Sequence, residues 1–422
     1  MIDINRIVND TEEVKRALLK RVQEEDLNLE KIIEVYNERK TLQTQYDEEK
    51  AKQNEYNQKM AQLEKGSDEF KNLITELKTK SNEVKEIENN LKDKEQELQK
   101  LLEVLPNIPD EEVPAGGKEG NEVIKTWGEK PQFDFKLKDH LELGEDLGIL
   151  DFGTAAKMSG ANFSMYRGKG AQLEWALINY FINEHVNDGY EMIIPPHIVN
   201  ENSAYVAGQI PKFREDVYWV NDNQCLIPTA ETALTNIYKD ETVEANQLPQ
   251  KFFAYTPCYR REAGSYRANE RGLIRVHQFN KVEMYIFSKS DQSDDLFEEL
   301  VNKAERLVEG LGLHYNSVKL AAGDCSAPAA KTVDVEVWLP ALEKYYEVSS
   351  ISNAREYQSR RGNMRYKPED GGKTQYMHTL NASGLATSRL MVALLETYQQ
   401  PDGSILVPEV LRKYTGFDKI EK

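Results

Sequence analysis

Glycine and proline are almost missing from the start of this chain. Gly66 is the one glycine, and no proline occurs, before Pro106. A domain rich in tight turns and β-hairpins is thereby excluded at the N-terminus. Cysteine is scarce too: Cys225, Cys258 and Cys325 stand far apart, with no C-x-x-C pair. That excludes zinc-cluster spacing and a disulfide framework, and fits a reducing compartment. No apolar run approaches the ~18 residues of a membrane-spanning helix. The N-terminus carries Asp3, Asp10, Glu12 and Glu13 without an apolar stretch between them, so a signal peptide is not expected. Positive charge is in deficit, with a formal net charge of −18. Such a chain is no general nucleic-acid binder and would meet a polyanion only through local basic patches. A cytoplasmic protein of two or three domains is the expectation, at roughly 150 residues per domain.

What the first part does have is a heptad ladder. Ile32, Val35, Arg39, Leu42, Tyr46, Glu49, Gln53, Tyr56, Met60 and Leu63 are spaced by alternating steps of three and four. A second ladder runs Phe70, Leu73, Leu77, Lys80, Val84, Ile87, Leu91, Lys94, Leu98, Leu101 and Leu105. A 3.5-residue repeat held this long predicts a coiled coil. Gly66-Ser67-Asp68 lies between the ladders, so an antiparallel hairpin follows, with Gly ending one helix and Ser or Asp capping the next. Each helix of about 38 residues would span about 57 Å. By pattern alone the hairpin is a dimerisation coiled coil, a solvated spacer, or an arm that touches a partner in solvent. The polar ladder positions Arg39, Glu49, Gln53, Lys80 and Lys94 weaken its seam and favour the arm. Residues 1–25 read as a short helical lead-in capped by Asn9 or Asp10.

Pro106, Pro109, Pro114, Gly116 and Gly117 mark a linker. Beyond it, a helix is predicted at Leu173–His185. Strands are predicted at Tyr190–Ile194, Lys251–Tyr255, Val276–Phe287, Val333–Trp338 and Tyr345–Ser349. Further helices are predicted at Ser293–Glu309 and Ser383–Tyr398. Clustered strands with helices grouped apart predict an α+β fold with a largely antiparallel sheet. Neither a P-loop nor a G-x-G-x-x-G turn is present. The densest chemistry is in Thr256–Met284, TPCYRREAGSYRANERGLIRVHQFNKVEM. It packs Arg260, Arg261, Arg267, Arg271, Arg275 and Lys281 into an acidic chain. Guanidinium forks grip carboxylates and phosphates, so the segment is an anion cradle or else a solvated basic loop.

This stretch resembles motif 2 of the class II aminoacyl-tRNA synthetases in its seryl form. GYEMIIPP (Gly189–Pro196) resembles motif 1, and HTLNASGLATSR (His378–Arg389) resembles motif 3. LIPTAE (Leu226–Glu231), KTVDVEVWLP (Lys331–Pro340) and YYEVSSISN (Tyr345–Asn353) match the same family in the same order. The bacterial seryl-tRNA synthetases are the nearest pattern. The resemblance implies a class II catalytic domain over residues 111–422, preceded by a tRNA-binding coiled-coil arm over residues 1–110. It implies ATP and Mg²⁺ as cofactors, L-serine and tRNA(Ser) as partners, and a homodimer formed through the motif 1 surface. Neither a membrane nor zinc is implied.

The family's residue roles carry over position by position. Arg260 would bridge the serine carboxylate and the α-phosphate. Arg275 and Arg389 would hold phosphates. Glu262 would accept from the adenine amino group and Phe279 would stack on the adenine. Arg261, Val276, Val348 and Ser349 complete the ATP positions, and Glu347 and Ser350 match the Mg²⁺ ligands. Thr229, Ala230, Glu231, Glu283, Asn381 and Ser383 match the serine-contacting positions. The motif 2 loop, with Arg267 and Arg271, would meet the tRNA acceptor stem. Several positions depart from the family: Ala382 and Ser388 replace two motif 3 glycines, Ile351 replaces a cysteine, and Thr232-Ala233 replaces Val-Pro. Ala382 or Ser388 would be strained if either backbone needed φ > 0. A serine–tRNA ligase is the leading expectation. A paralogue serylating another acceptor, or a scaffold with a degenerate catalytic fold, stands beside it.

Overall fold

The computed structural model describes residues 1–262 and 271–422. Two compact units are present, one spanning residues 2–106 and the other Met1 with residues 107–422.

The smaller unit is a helical hairpin of α1 (Leu29–Gln62) and α2 (Asp68–Glu103). The helices hold 34 and 36 residues, a few fewer than the ladders predict. Leu63 is already extended, and Gly66 takes φ +96° in the turn. Ser67, rather than Asp68, caps α2, its hydroxyl accepting from the Phe70 amide at 3.1 Å. Every ladder position is buried or half-buried, and Ile32, Val35, Val84, Leu91 and Leu105 are the buried ones. Four of the polar ladder residues pair across the seam, Glu49 and Lys80 with each other and Arg39 and Lys94 with acids at other heptad positions. Glu49 pairs with Lys80, Arg39 with Glu95 at 2.8 Å, and Lys94 with Glu38 at 2.7 Å. The seam is thus zipped by ions where it is not zipped by leucines. The lead-in is two helices, Ile4–Asn9 and Thr11–Leu18. Asp3 caps the first through its side chain, and Asp10 precedes the second without a side-chain bond.

The larger unit is built on an eight-stranded sheet. Its strands are β1 (Glu122–Trp127), β2 (Glu191–Met192), β3 (Gln250–Tyr259), β4 (Gln278–Ser288), β5 (Tyr315–Lys319), β6 (Lys331–Leu339), β7 (Lys344–Arg355) and β8 (His378–Ala386). The spatial order is β1-β5-β6-β7-β8-β4-β3-β2. All pairs are antiparallel except β2 with β3. The α+β expectation holds. Strands run longer than their apolar cores, because polar residues such as Ser350, Ser352 and Asn353 continue the ladder. The helix predicted from Ser383 begins only at Thr387, since Ser383 pairs with Glu283 and Ala386 with Lys281 in the sheet.

Strand alternation divides this sheet into two chemistries. One face carries Phe253, Val282, Met284, Val335, Val337 and Leu380 into the main core. Helices α3 (Gly168–Asn187), α4 (Ser293–Gly310) and α5 (Thr387–Thr397) supply the rest of that core. The intervening residues Lys281, Glu283, Asp334, Ser350, Asn381 and Ser383 point to the opposite face and line a cleft.

The hairpin seam makes a local prediction. Leu91→Ala should weaken it by about 2 kcal/mol, the low end for a Leu→Ala truncation. Amide exchange should quicken along α1 and α2 and stay slow in β4 and β8. Uniform protection in the variant would count against a leucine-dependent seam.

Candidate active site

The cleft floor comes from β4, β7 and β8, and one wall comes from the segment that follows β3. Its central part is about 370 Å³. At its base Glu283 is 1% exposed and pairs with Lys281, itself 5% exposed. The Lys281 ammonium also donates to the Thr229 hydroxyl at 2.9 Å, and that hydroxyl donates to Glu283 Oε2 at 3.0 Å. Opposite them, Glu231 Oε1 accepts from Gln358 Nε2 at 2.7 Å and from Asn381 Nδ2 at 3.0 Å. Burial, reinforced by the charge of Glu283, pushes the Glu231 carboxyl up to about 7. Gln358 is saturated: its Oε1 accepts from Tyr285 and Thr379, and its amide also donates to the Ala207 carbonyl. Ala230 is fully buried.

Arg260 forms the wall. Its Nε donates to the Pro228 carbonyl at 3.3 Å, and its guanidinium lies 5.2 Å from the Phe279 ring centre. Outward of it, Glu262 and Arg275 form an ion pair at 2.6 Å. Val276, Val348, Phe279 and Arg389 line the same recess. Arg389 is anchored by the carbonyls of Glu347 at 2.8 Å and Ile274 at 3.2 Å, with the Glu347 carboxylate 3.5 Å away. Ser349 is buried and donates to the Ser383 carbonyl. Glu347 and Ser350 border a wider opening of about 770 Å³, which Asp334 and Glu336 also line. Asp334 sits opposite Ser350 in the ladder. Burial and the nearby Glu347 charge hold its carboxyl well above the usual range, and its Oδ1 has no partner among the described residues.

Most predicted site residues therefore converge. Arg261 does not join them. It is exposed, and its backbone amide donates to the Asp216 carbonyl at 2.8 Å. Arg267 lies outside the described residues. Arg271 is exposed and 3.8 Å from Asp139. Ala382 and Ser388 are both buried without positive φ, so neither replacement strains the backbone, and Ile351 packs in the core. The sequence marks Lys281 only as one of the basic residues of the arginine-rich segment and gives no role to Gln358, Asp334 or Glu336. The Lys281–Glu283 spacing of two on a strand places both on one face and was the available signal. Gln358 follows β7 on a short helix, and nothing local marks it.

A buried carboxylate bridges the sheet to α3. Glu174 Oε1 accepts from Asn280 Nδ2 at 2.9 Å and from the Thr387 hydroxyl, and burial raises its carboxyl to about 7.

Comparison with known proteins separates class from family. Residues 218–398 match the family model described as the tRNA synthetase class II core domain (G, H, P, S and T). Residues 1–109 match the seryl-tRNA synthetase N-terminal domain. The fold and cleft are those of a class II aminoacyl-tRNA synthetase. A serine–tRNA ligase 2 from Clostridium acetobutylicum is 51% identical, with 100% of both chains covered. A serine–tRNA ligase from Prosthecochloris aestuarii is 45% identical, covering 100% of this chain and 99% of its own. The crystal structure of a Pyrococcus horikoshii seryl-tRNA synthetase complexed with ATP superposes with a TM-score of 0.92 at 32% identity, covering 100% of this chain and 99% of that one. The chain belongs to the seryl-tRNA synthetase family.

The Glu174 carboxyl gives this unit a pH signature. Its folded value lies above the unfolded one, so the folded state holds the proton more tightly. Stability is greatest below about pH 4.5 as far as this group is concerned, and it falls as pH rises through about 7, by roughly 3 kcal/mol in all. Glu174→Gln should remove that slope. Chemical denaturation at pH 5 and pH 8 should show the wild type losing more stability than the variant between the two; parallel losses would contradict it.

Proposed function

We propose that this chain activates L-serine with ATP and transfers the seryl group to tRNA(Ser). The observation that carries the reading is the placement of Arg260 between an acid-lined pocket, with Thr229, Glu231 and Glu283, and the recess lined by Phe279. A serine fits the first by charge. Its ammonium meets Glu231 with Asn381 beside it, its hydroxyl meets Glu283 or Ser383, and its carboxylate reaches Arg260. Adenine fits the recess against Phe279, with Glu262 accepting from the amino group. Glu262 must then exchange part of its pairing with Arg275, which is freed to turn to phosphate.

In the first step a serine carboxylate oxygen attacks the α-phosphorus, the bond to the bridging oxygen breaks, and pyrophosphate leaves. Two anions must meet, so the barrier is chiefly electrostatic. Arg260, Arg275 and Arg389 offset that charge before the reactants arrive. In the second step a terminal ribose hydroxyl of the tRNA attacks the seryl carbonyl and AMP departs. Glu347 and Ser350, with the unpartnered Oδ1 of Asp334 beside them, form a hard oxygen set suited to Mg²⁺. The ion would neutralise triphosphate charge there. Trp175, Val186, Met192, Ile194 and Ile198 are exposed apolar residues of the motif 1 region, which supports a homodimer through that face. The hairpin serves as the tRNA-binding arm, and the cytoplasm is its compartment.

Arg260→Ala should lower serine-dependent ATP–pyrophosphate exchange by about 1000-fold, a loss typical of a transition-state charge contact. Near-normal exchange in a folded variant would remove Arg260 from the reaction. Replacing residues 30–103 by a short splice should spare exchange yet abolish charging of tRNA(Ser). Equal charging by the spliced form would assign the hairpin some other duty.

A further inference from the structure

We propose that Lys281 is the positioning residue of the serine pocket: bonded to Glu283 and to the Thr229 hydroxyl, it orders the hydroxyl-reading carboxylate and keeps Glu231 available to the substrate ammonium. The proposal rests on the reading of this cleft as the serine site.

Lys281 is almost wholly buried on the same strand face as Glu283. Two of its three donors have acceptors in the pocket, Glu283 Oε2 and Thr229 Oγ1. Thr229 spends its proton on the same Oε2 and accepts from the Glu231 amide at 3.2 Å. The hydroxyl therefore cannot turn toward a ligand as a donor. Both bonds to Glu283 fall on Oε2, which leaves Oε1 for a ligand. An ionised carboxylate accepts only, so that oxygen selects a substrate that donates, as a seryl hydroxyl does. An amino acid lacking the hydroxyl leaves it unpaired.

Lys281 also acts through space on Glu231. The charged and titratable groups facing Glu231 are Glu283, Lys281 and Tyr285 from β4 and Arg260 from the opposite wall, with Gln358 and Asn381 as neutral donors. Glu283 raises the Glu231 carboxyl, whereas Lys281 and Arg260 lower it. Glu231 must be ionised to receive an ammonium. Loss of the Lys281 charge therefore delays that ionisation to higher pH. The positive charge that Lys281 adds to the pocket repels an ammonium only weakly, because Glu283 already neutralises it.

The test is serine-dependent ATP–pyrophosphate exchange from pH 5.5 to 9 with the full-length wild type, Lys281→Met and Lys281→Arg. Lys281→Met should raise the KM for serine by about 10-fold or more, as loss of a buried charged hydrogen bond does, with the KM for ATP unchanged. Its rising limb of kcat/KM for serine should move up by roughly one pH unit, the least that removal of a nearby opposite charge produces. Lys281→Arg keeps the charge, so its limb should stay with the wild type while its KM rises. Unchanged serine KM and superimposed pH profiles in Lys281→Met would overturn the proposal. So would a limb that shifts equally in both variants, or a parallel rise of KM for serine and ATP, either of which marks general damage. Should Lys281→Met fail to fold, the position of the Lys281→Arg limb decides alone. A wild type without serine-dependent exchange would instead remove the serine reading, and this proposal with it.

Discussion

Two-residue periodicity in the central sheet is the constraint from which the rest of this molecule follows. Each strand of the cleft floor sends alternate side chains to opposite faces. On β4, Val282, Met284 and Ile286 enter the core while Phe279, Lys281 and Glu283 face the cleft. On β8, Leu380 and Ala382 go one way and Asn381 and Ser383 the other. One apolar layer thus fixes the positions of charges contributed by strands far apart in sequence. A slip of one residue in any of these pairings would bury a carboxylate in the core and expose a methionine or leucine. The catalytic geometry and the register are therefore a single property.

Charges brought to such a face need partners, since desolvation alone disfavours them. Lys281 meets Glu283, Arg275 meets Glu262, and Arg389 is held by two backbone carbonyls and the Glu347 carboxylate. Glu231 and Asp334 are compensated less fully, and both carboxyls are raised. That division has a chemical sense. Groups already paired hold the architecture without a ligand. Groups left under-compensated are the ones that would gain most from an arriving ammonium or cation.

Legibility in the sequence tracked how local each determinant is. The hairpin was readable because its periodicity lies along the chain, down to half-buried Tyr56 and Lys94. Its polar ladder positions were read as weakness in the seam, but their cross-helix partners Glu38 and Glu95 occupy other heptad positions and become visible only when the helices pair. The site was legible where short words carry several of its residues, as around Arg260 and Glu283. Gln358 escaped because its contacts, Glu231, Tyr285 and Thr379, come from three separate segments. The start of α5 was misplaced for a related reason. Ser383–Ala386 runs into the helix-favouring sequence of α5, yet cross-strand pairing with β4 keeps it in the sheet, and Gly384 weakens any helical preference there.

The motif 3 departures show how the same sheet tolerates change. Ala382 lies in an extended strand with a wholly buried side chain, so a methyl replaces hydrogen without a positive φ. Gly384, two residues on, has no such freedom. A Cβ there would stand 2.6 Å from His185 Nε2 and 3.0 Å from the Val282 carbonyl. Backbone strain is instead placed at Glu262, a non-glycine residue at φ +52°. That conformation is unfavourable for an L residue other than Asn or Asp by about 1 kcal/mol or more, and Glu262 keeps its ion pair with Arg275 while adopting it. Glu262 borders the recess directly, and Gly384 adjoins Ser383, which borders it from β8. The close approach at Gly384 thus fixes the β8 backbone beside the recess, whereas the Glu262–Arg275 pair across from it is a side-chain contact that can be exchanged for a ligand.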